Sequence, residues 1–396
     1  MKEQKKRQRQ DPSHHLAGPF LPQTPFDSAA SSRQPSPVPP FKNVYRPRVN
    51  VFIRWIVEPA SAFKLLLVPL ILYVNWELLK PYVAPNQPNP FTGIFMLSNP
   101  VPDSPADDPR YAKTYWDIPF IAYYVIFFSF VRQAITVNIC SRVARYFGIK
   151  KEAKLARFGE QGYAMVYFAV FGAWGFRIMS HLPTWWYRTE YFWIDYPHWD
   201  MKPELKRYYL MQMAYWLQQL LVLLLGLEKP RKDYYELVAH HFVTLWLVGW
   251  SYLVNMTLMG NAVYMSMDIP DSFLAFSKIL NYIQWERAKI VSFAVFSVVW
   301  TYFRHYLNLV ILYSVWTEFN LIPEASNQWK PENGVWLAGW MRYQIFIPLA
   351  LLQLLNLFWY FLILRILVRA VITAEATDER SDDEDDGDDA DDAKED

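Results

Sequence analysis

Cysteine is almost missing from this chain, whose 396 residues contain one, Cys140. A single thiol excludes an intrachain disulfide framework and a metal site built from four thiolates. We expect Cys140 to be a neutral packing residue near a helix end. Glycine signatures are also missing, because the sequence has no GxGxxG run, no P-loop and no GxSxG nucleophile elbow. Their absence removes the usual sequence grounds for a nucleotide-binding fold or a serine hydrolase.

The N-terminus lacks the apolar segment of a cleaved signal peptide. Residues 1–50 are instead basic and rich in proline and serine, which predicts a disordered cytosolic arm. The 39 Lys and Arg nearly balance the 38 Asp and Glu, but 14 of the acidic residues lie in residues 375–396. We therefore expect a disordered acidic cytosolic tail over 371–396, in which Ser381 stands before three acidic residues that suit a kinase site.

Apolar and aromatic side chains are abundant, at 53% and 18% of the residues. A membrane-spanning helix needs about 20 mostly apolar residues. Eight stretches approach this requirement, so the predicted fold class is an all-α polytopic membrane protein. The predicted spans are residues 62–79, 118–139, 161–179, 208–225, 237–258, 261–282, 290–316 and 339–368. Two spans and a lumenal loop make up residues 51–150, and six spans form a catalytic domain over 151–370.

The distribution of Lys and Arg in the connecting loops predicts the orientation of these spans. The loops after the second, fourth and sixth spans carry 11 basic residues, whereas the longer loops on the opposite side carry 8. The more basic set should face the cytosol. With eight spans, this orientation puts both termini in the cytosol.

Four ionisable side chains stand in two neighbouring predicted spans, His240 and His241 in HHFVT and Asp268 and Asp271 in MDIPD. Each costs about 2.5–3.5 kcal/mol at the centre of a spanning helix, so such groups indicate function. Adjacent histidines differ by about 100° in direction and cannot point at one spot. The two aspartates are three residues apart and should share a face. We predict that these four residues are catalytic.

Acyl transfer fits these side chains. A neutral histidine is a general base, and a carboxylate can orient it or hold a cationic amine. Because no activated serine or cysteine is visible, a histidine either activates the substrate's own nucleophile or carries an acyl group itself. Both routes suit acyl transfer to a lipid amine or alcohol within the bilayer. Nearby polar side chains are expected either to line the same cavity, as substrate-binding residues, or to bond helix to helix: Thr244, Ser251, Tyr252 and Asn255.

A metal site is the alternative use of the same side chains. Two histidines and two aspartates are suitable ligands for a zinc-dependent lipid amidase or hydrolase. Seven histidines in the whole chain are too few for the many-histidine boxes of membrane di-iron enzymes. We predict that there is no metal site.

The stretch from His240 to Tyr282 resembles the longevity-assurance motif of ceramide synthases, which belong to the TLC-domain membrane family. The resemblance rests on HHxxT, SYxxN, a glycine, MDxxD and SKxxNY, in that order, over more than forty positions. Met267, Ala275, the short loop before the second span and the acidic tail are similar to the yeast and filamentous-fungal branch.

The resemblance implies transfer of a fatty acyl group from acyl-CoA to the amine of a sphingoid base, dihydrosphingosine or phytosphingosine, in the endoplasmic reticulum membrane. It implies that the last six spans form a helical barrel around a lipid cavity and that the four ionisable residues are catalytic. No cofactor is expected, since acyl-CoA is a co-substrate. Its phosphates should bind near basic side chains at the cytosolic mouth. The basic residues expected to bind these phosphates are Lys229, Arg231 and Lys232.

Expected partners are the two substrates and membrane lipids, with no nucleic acid. The resemblance further implies a homo- or heterodimer with a paralogous synthase, and a small single-span regulatory subunit. A non-enzymatic TLC-type lipid carrier or sensor is the remaining alternative. The HHFVT motif argues against it, because such relatives do not need the histidine pair.

Overall fold

The computed structural model describes residues 51–228 and 232–373 and is mainly α-helical. The N-terminal arm, the tail from residue 374, Lys229 and Arg231 lie outside the described residues, so the predictions made for them stay predictions. Eight long helices fill most of the described residues: α1 Pro59–Val83, α2 Asp117–Tyr146, α3 Glu152–Ser180, α4 Pro203–Leu224, α5 Tyr234–Leu253, α6 Thr257–Tyr282, α7 Glu286–Thr317 and α8 Met341–Thr373.

Each predicted span lies largely on one of these helices. Among the described residues, four helices are long and apolar enough to cross a membrane by length and composition alone: α1, α2, α7 and α8. The helices between them carry more polar side chains, such as Gln212 in α4 and Asn261 in α6, both fully buried. The helix α6 continues through Pro270. The helix α8 extends to Thr373, so residues 371–373, which were assigned to the tail, belong to this helix.

The six helices α3 to α8 contact one another in a closed order. Going around, α3 packs on α4, α4 on α5, α5 on α8, α8 on α7, α7 on α6, and α6 back on α3. The helix α2 packs against α4 from outside this ring, and α1 packs against α2. Six of the eight long helices therefore surround a common interior.

A glycine allows α2 and α3 to approach closely. A Cβ atom added at Gly162 in α3 would overlap the Sγ atom of Cys140 in α2. Cys140 is 6% exposed and lies within α2, six residues before this helix ends at Tyr146. It occupies a π-helical turn, Ile135–Cys140. A second π-helical turn, Thr301–Leu307, interrupts α7, and such turns are frequent at functional sites.

Buried polar contacts join the loops at one end of the helices. A two-stranded antiparallel ribbon pairs β1 Tyr111–Ala112 with β2 Asp200–Met201. Beside it, the Lys206 Nζ atom lies 2.9 Å from the Asp117 Oδ1 atom and also donates to the Ala112 carbonyl at 2.7 Å. This ion pair holds the start of α2 against the start of α4.

Candidate active site

A cavity of about 270 Å³ lies inside the ring, towards the end of the helices at which Glu228 and Asp233 lie. Its deeper wall carries His240, His241 and Asp271, three of the four predicted catalytic residues. Charged side chains line the part nearer the helix ends. We call this space the polar cavity. Its charged lining residues are Arg132, Arg157, Glu160, Glu228, Asp233, Asp271, Lys278 and Arg304.

The two histidines are each 7% exposed, and the centroids of their rings lie 5.8 Å apart. The centroid of the Trp216 ring is 5.6 Å from each imidazole, and Trp359 packs on His240 at 5.4 Å. The His241 Nδ1 atom lies 2.8 Å from the Leu237 carbonyl oxygen. Because a carbonyl only accepts, Nδ1 carries the proton in neutral His241 and Nε2 is its basic atom. Among the described residues, the buried Nδ1 atom of His240 has no hydrogen-bond partner.

The two aspartates do not share one environment, which corrects the expectation from their spacing. Asp271 lines the polar cavity, and its Oδ1 atom lies 2.7 Å from the Arg304 Nη2 atom. Asp268 is fully buried behind this wall and accepts a hydrogen bond from Gln212 Nε2. Residues three apart on a helix differ by about 60°, which is enough to turn one to the cavity and the other to α4. In the described parts of the chain, neither imidazole forms a hydrogen bond with either carboxylate.

A second space continues from the histidines towards the opposite end of the ring. We call it the apolar cavity, because most of its walls are aliphatic, methionine and aromatic side chains from α4, α5, α6 and α8. His240 and Trp216 line both cavities. Thr244 and Ser251, two of the predicted substrate-binding residues, lie in its wall. The hydroxyl of Ser251 is also hydrogen-bonded to the Tyr209 hydroxyl.

Tyr252 and Asn255, which were also predicted to bind substrate, line neither cavity. The Tyr252 hydroxyl donates to Asp117 Oδ2 at 2.8 Å, and Asn255 Nδ2 donates to the Gly334 carbonyl at 2.8 Å. Of the two roles expected for these side chains, the contacts agree with bonding between elements of the fold. Lys232 is exposed and not part of either lining, while Lys229 and Arg231 lie outside the described residues.

Arg304 and Arg132 are the main site residues that sequence reasoning missed. Both stand in predicted spans, so the criterion that singled out the histidine pair applies to them as well. Arg132 in α2 forms an ion pair with Glu228, which follows α4, and Arg157 pairs with Glu160 at 3.0 Å. No feature of the sequence distinguishes Trp216 and Trp359 as cavity-lining residues, because the apolar spans contain many tryptophans.

A metal centre is not formed by the described residues. Within 51–228 and 232–373, no three or more His, Cys, Asp or Glu side chains are placed to hold a metal ion. The zinc-dependent alternative therefore has no ligand set in this part of the chain.

Comparison with known proteins matches residues 157–365 to the TLC domain, a region that runs from α3 to α8. Sphingosine N-acyltransferase lac1 of Schizosaccharomyces pombe is 42% identical over 323 residues, 81% of each chain. Ceramide synthase LAG1 of Saccharomyces cerevisiae is 41% identical over 275 residues, 68% of this chain and 65% of that protein. The sphingosine N-acyltransferase-like protein FUM17 of Gibberella moniliformis is 38% identical over 68% of this chain. This chain therefore belongs to the TLC-domain family, in its group of fungal ceramide synthases.

Proposed function

We propose that this protein is a ceramide synthase, which transfers a fatty acyl group from acyl-CoA to the amine of a sphingoid base. The observation that carries the proposal is the position of His240, whose side chain lines both the polar and the apolar cavity. A thioester at this junction has its polar CoA portion on one side and its hydrocarbon chain on the other. The names of the fungal relatives support the same activity.

The apolar cavity is the proposed site of the acyl chain. Along α5 it extends from His240 to Val254, fourteen residues later, which is about 21 Å at 1.5 Å per residue. The open volume is about 60 Å³, so a long hydrocarbon chain enters only when the lining side chains move apart. Methionines at the start of α6, Met256 and Met259, line the far end. Burial of the hydrocarbon chain provides binding energy in proportion to its apolar area.

The polar cavity is the proposed site of the CoA portion. Arg132 and Arg157 line it at the end where the sequence also concentrates basic loops. Guanidinium groups bind phosphate through paired, charge-assisted hydrogen bonds. Each of these arginines has a carboxylate partner, Glu228 or Glu160, so phosphate has to compete with that carboxylate.

The reaction forms an amide bond and releases CoA. The amine nitrogen forms a bond to the thioester carbon, the carbon–sulfur bond breaks, and the bonding pair leaves with sulfur. One histidine removes the proton that the amine loses and delivers it to the departing thiolate. In the alternative route, a histidine nitrogen attacks first and the amine then displaces it. Incubation with acyl-CoA alone distinguishes the routes, because only the second leaves an acylated peptide detectable by mass spectrometry.

The membrane arrangement is part of the proposal. The closed order of α3 to α8 supports a helical barrel, and the eight long helices support eight spans with both termini in the cytosol. In this arrangement residues 151–370 form the catalytic domain and residues 51–150 form two accessory spans. The endoplasmic reticulum location, the dimer and the small regulatory subunit rest on the resemblance alone.

Activity of the purified protein tests the proposal. Acyl-CoAs of graded length are combined with dihydrosphingosine or phytosphingosine, and the ceramide and the free CoA are both quantified. Equal amounts of the two products support an acyltransferase. Hydrolysis of ceramide that a chelator abolishes indicates a zinc-dependent amidase, and lipid binding without turnover indicates a carrier. Either of these results overturns the proposal.

A further inference from the structure

Three N–H donors in the wall of the polar cavity have no acceptor among the described residues. They are the Nε atom of Arg304 and the indole nitrogens of Trp300 and Trp216. All three side chains line the cavity that contains His240. Buried donors are nearly always satisfied in folded proteins, because leaving one without an acceptor is costly. Other buried nitrogens of the described residues also lack an acceptor, those of Trp250 and Arg342 among them, and these three differ from those two in lining the polar cavity.

Arg304 is the donor whose position is fixed most firmly. Its Nη1 atom donates to Asn356 Oδ1 at 2.9 Å, and its Nη2 atom donates to the Met267 carbonyl at 3.0 Å and to Asp271. Its guanidinium carbon lies 4.5 Å from the centroid of the Trp300 ring, and the residue is 2% exposed. A guanidinium has five N–H bonds; these contacts use three of them, and the Nε–H is one of the two that remain.

An ion pair with Asp271 does not by itself explain this arrangement. Neutralising one carboxylate requires a positive charge, which a lysine ammonium also supplies. The structure instead holds a planar group by contacts to three helices, α6, α7 and α8, and leaves its Nε–H without an acceptor. Fixed donors of this kind are effective where negative charge develops during a reaction, since they need no reorganisation.

We infer that Arg304 donates a hydrogen bond to the carbonyl oxygen of the thioester and stabilises the negative charge that this oxygen acquires during acyl transfer. The inference rests on the proposed function. When a nitrogen nucleophile attacks, the carbon–nitrogen bond forms and the electron pair of the carbonyl double bond moves to oxygen. When the double bond forms again, the carbon–sulfur bond breaks and its electron pair leaves with sulfur. The oxyanion exists between these steps, and a charged donor stabilises it more than a neutral indole N–H does.

The test compares Arg304→Lys and Arg304→Gln with the wild-type enzyme in detergent. Both variants remove the Nε–H, the first while keeping the charge and the second while keeping N–H donors. The expected result is a fall in kcat of about 100- to 1,000-fold, the usual effect of losing an oxyanion donor, with KM for acyl-CoA changed by little. Arg342→Lys is the matched control, because Arg342 also lies over aromatic rings, Trp316 and Phe319, but lines neither cavity. It should keep wild-type kcat.

Chemical rescue separates a donor from a structural charge. In Arg304→Ala, methylguanidinium should restore part of kcat, whereas methylammonium at the same concentration should not. Thermal unfolding in detergent identifies any variant that is not folded. The folded variants then decide whether Arg304 acts as a hydrogen-bond donor. Wild-type kcat in Arg304→Lys or Arg304→Gln, or equal rescue by both cations, overturns the inference alone. Failure of the wild-type enzyme to form ceramide overturns the proposed function as well.

Discussion

At the scale of single residues, the position of the histidine pair relative to Trp216 is the main feature of the site. The Trp216 ring contacts both imidazoles, so neighbouring side chains that diverge by about 100° still border one cavity. The hydrogen bond from His241 to the Leu237 carbonyl fixes one tautomer, whereas the Nδ1 atom of His240 has no partner among the described residues. The two rings are therefore not equivalent, and His240 alone reaches the apolar cavity.

Substitution of either histidine should abolish ceramide formation. His240→Ala and His241→Ala are each expected to lower kcat at least about 100-fold, because general-base catalysis contributes roughly 100- to 10,000-fold. His181→Ala is the control, since His181 is exposed at the end of α3. The measurement is ceramide formed by purified protein of equal thermal stability. Wild-type turnover by His240→Ala removes that residue from the mechanism.

The pair formed by Asp271 and Arg304 should also matter for stability. Asp271→Asn leaves a buried guanidinium without its counter-charge, and breaking a buried pair in this way costs about 3–5 kcal/mol. Asp268→Asn keeps an oxygen that can accept from Gln212, so its cost should be smaller. Thermal unfolding in detergent compares the two variants. A lower Tm for Asp268→Asn than for Asp271→Asn contradicts this assignment.

At the scale of elements, the sequence predicted where the long helices lie but not the contacts between them. A run of about 20 apolar residues has few structures available in a membrane, which is why 62–79 and 118–139 fall on α1 and α2. Contacts between helices depend on side chains far apart in the chain, and the spacing of Asp268 and Asp271 carries no information about them. The same limit applies to Tyr252, whose partner Asp117 lies 135 residues earlier. Arg304 could have been identified from the sequence, because a charged side chain in a predicted span indicates a functional role.

The contact between α2 and α3 gives a test at this scale. Gly162→Ala places a methyl group against Cys140 Sγ, and such overpacking typically costs about 1–3 kcal/mol. The double variant Gly162→Ala with Cys140→Ala should recover most of that loss, because the second change removes the overlapping atom. Unfolding midpoints of the wild type, both single variants and the double variant give the coupling energy. Additive effects contradict a direct contact.

At the scale of the whole molecule, the polar cavity and the basic loops belong to the same end of the helices. Arg157, near the start of α3, lines the polar cavity, and exposed Lys150 lies just before that helix. An orientation that places this end in the cytosol lets acyl-CoA enter from the aqueous side where its phosphates remain solvated. It also places the connection between α7 and α8, which contains exposed Glu324, on the lumenal side.

The single cysteine makes this orientation directly measurable. In a Cys140→Ala background, one cysteine is introduced at Lys150 or at Glu324, both exposed positions in connections. Sealed microsomes are treated with a maleimide that does not cross membranes. Lys150→Cys should react before permeabilisation and Glu324→Cys only after it, because in the proposed eight-span arrangement seven spans precede Glu324 and two precede Lys150. The Cys140→Ala protein without a new cysteine gives the background labelling, and retained ceramide synthesis shows that each variant is folded. The reverse labelling pattern contradicts cytosolic entry of acyl-CoA, and labelling of both positions in sealed microsomes contradicts an odd number of spans between them.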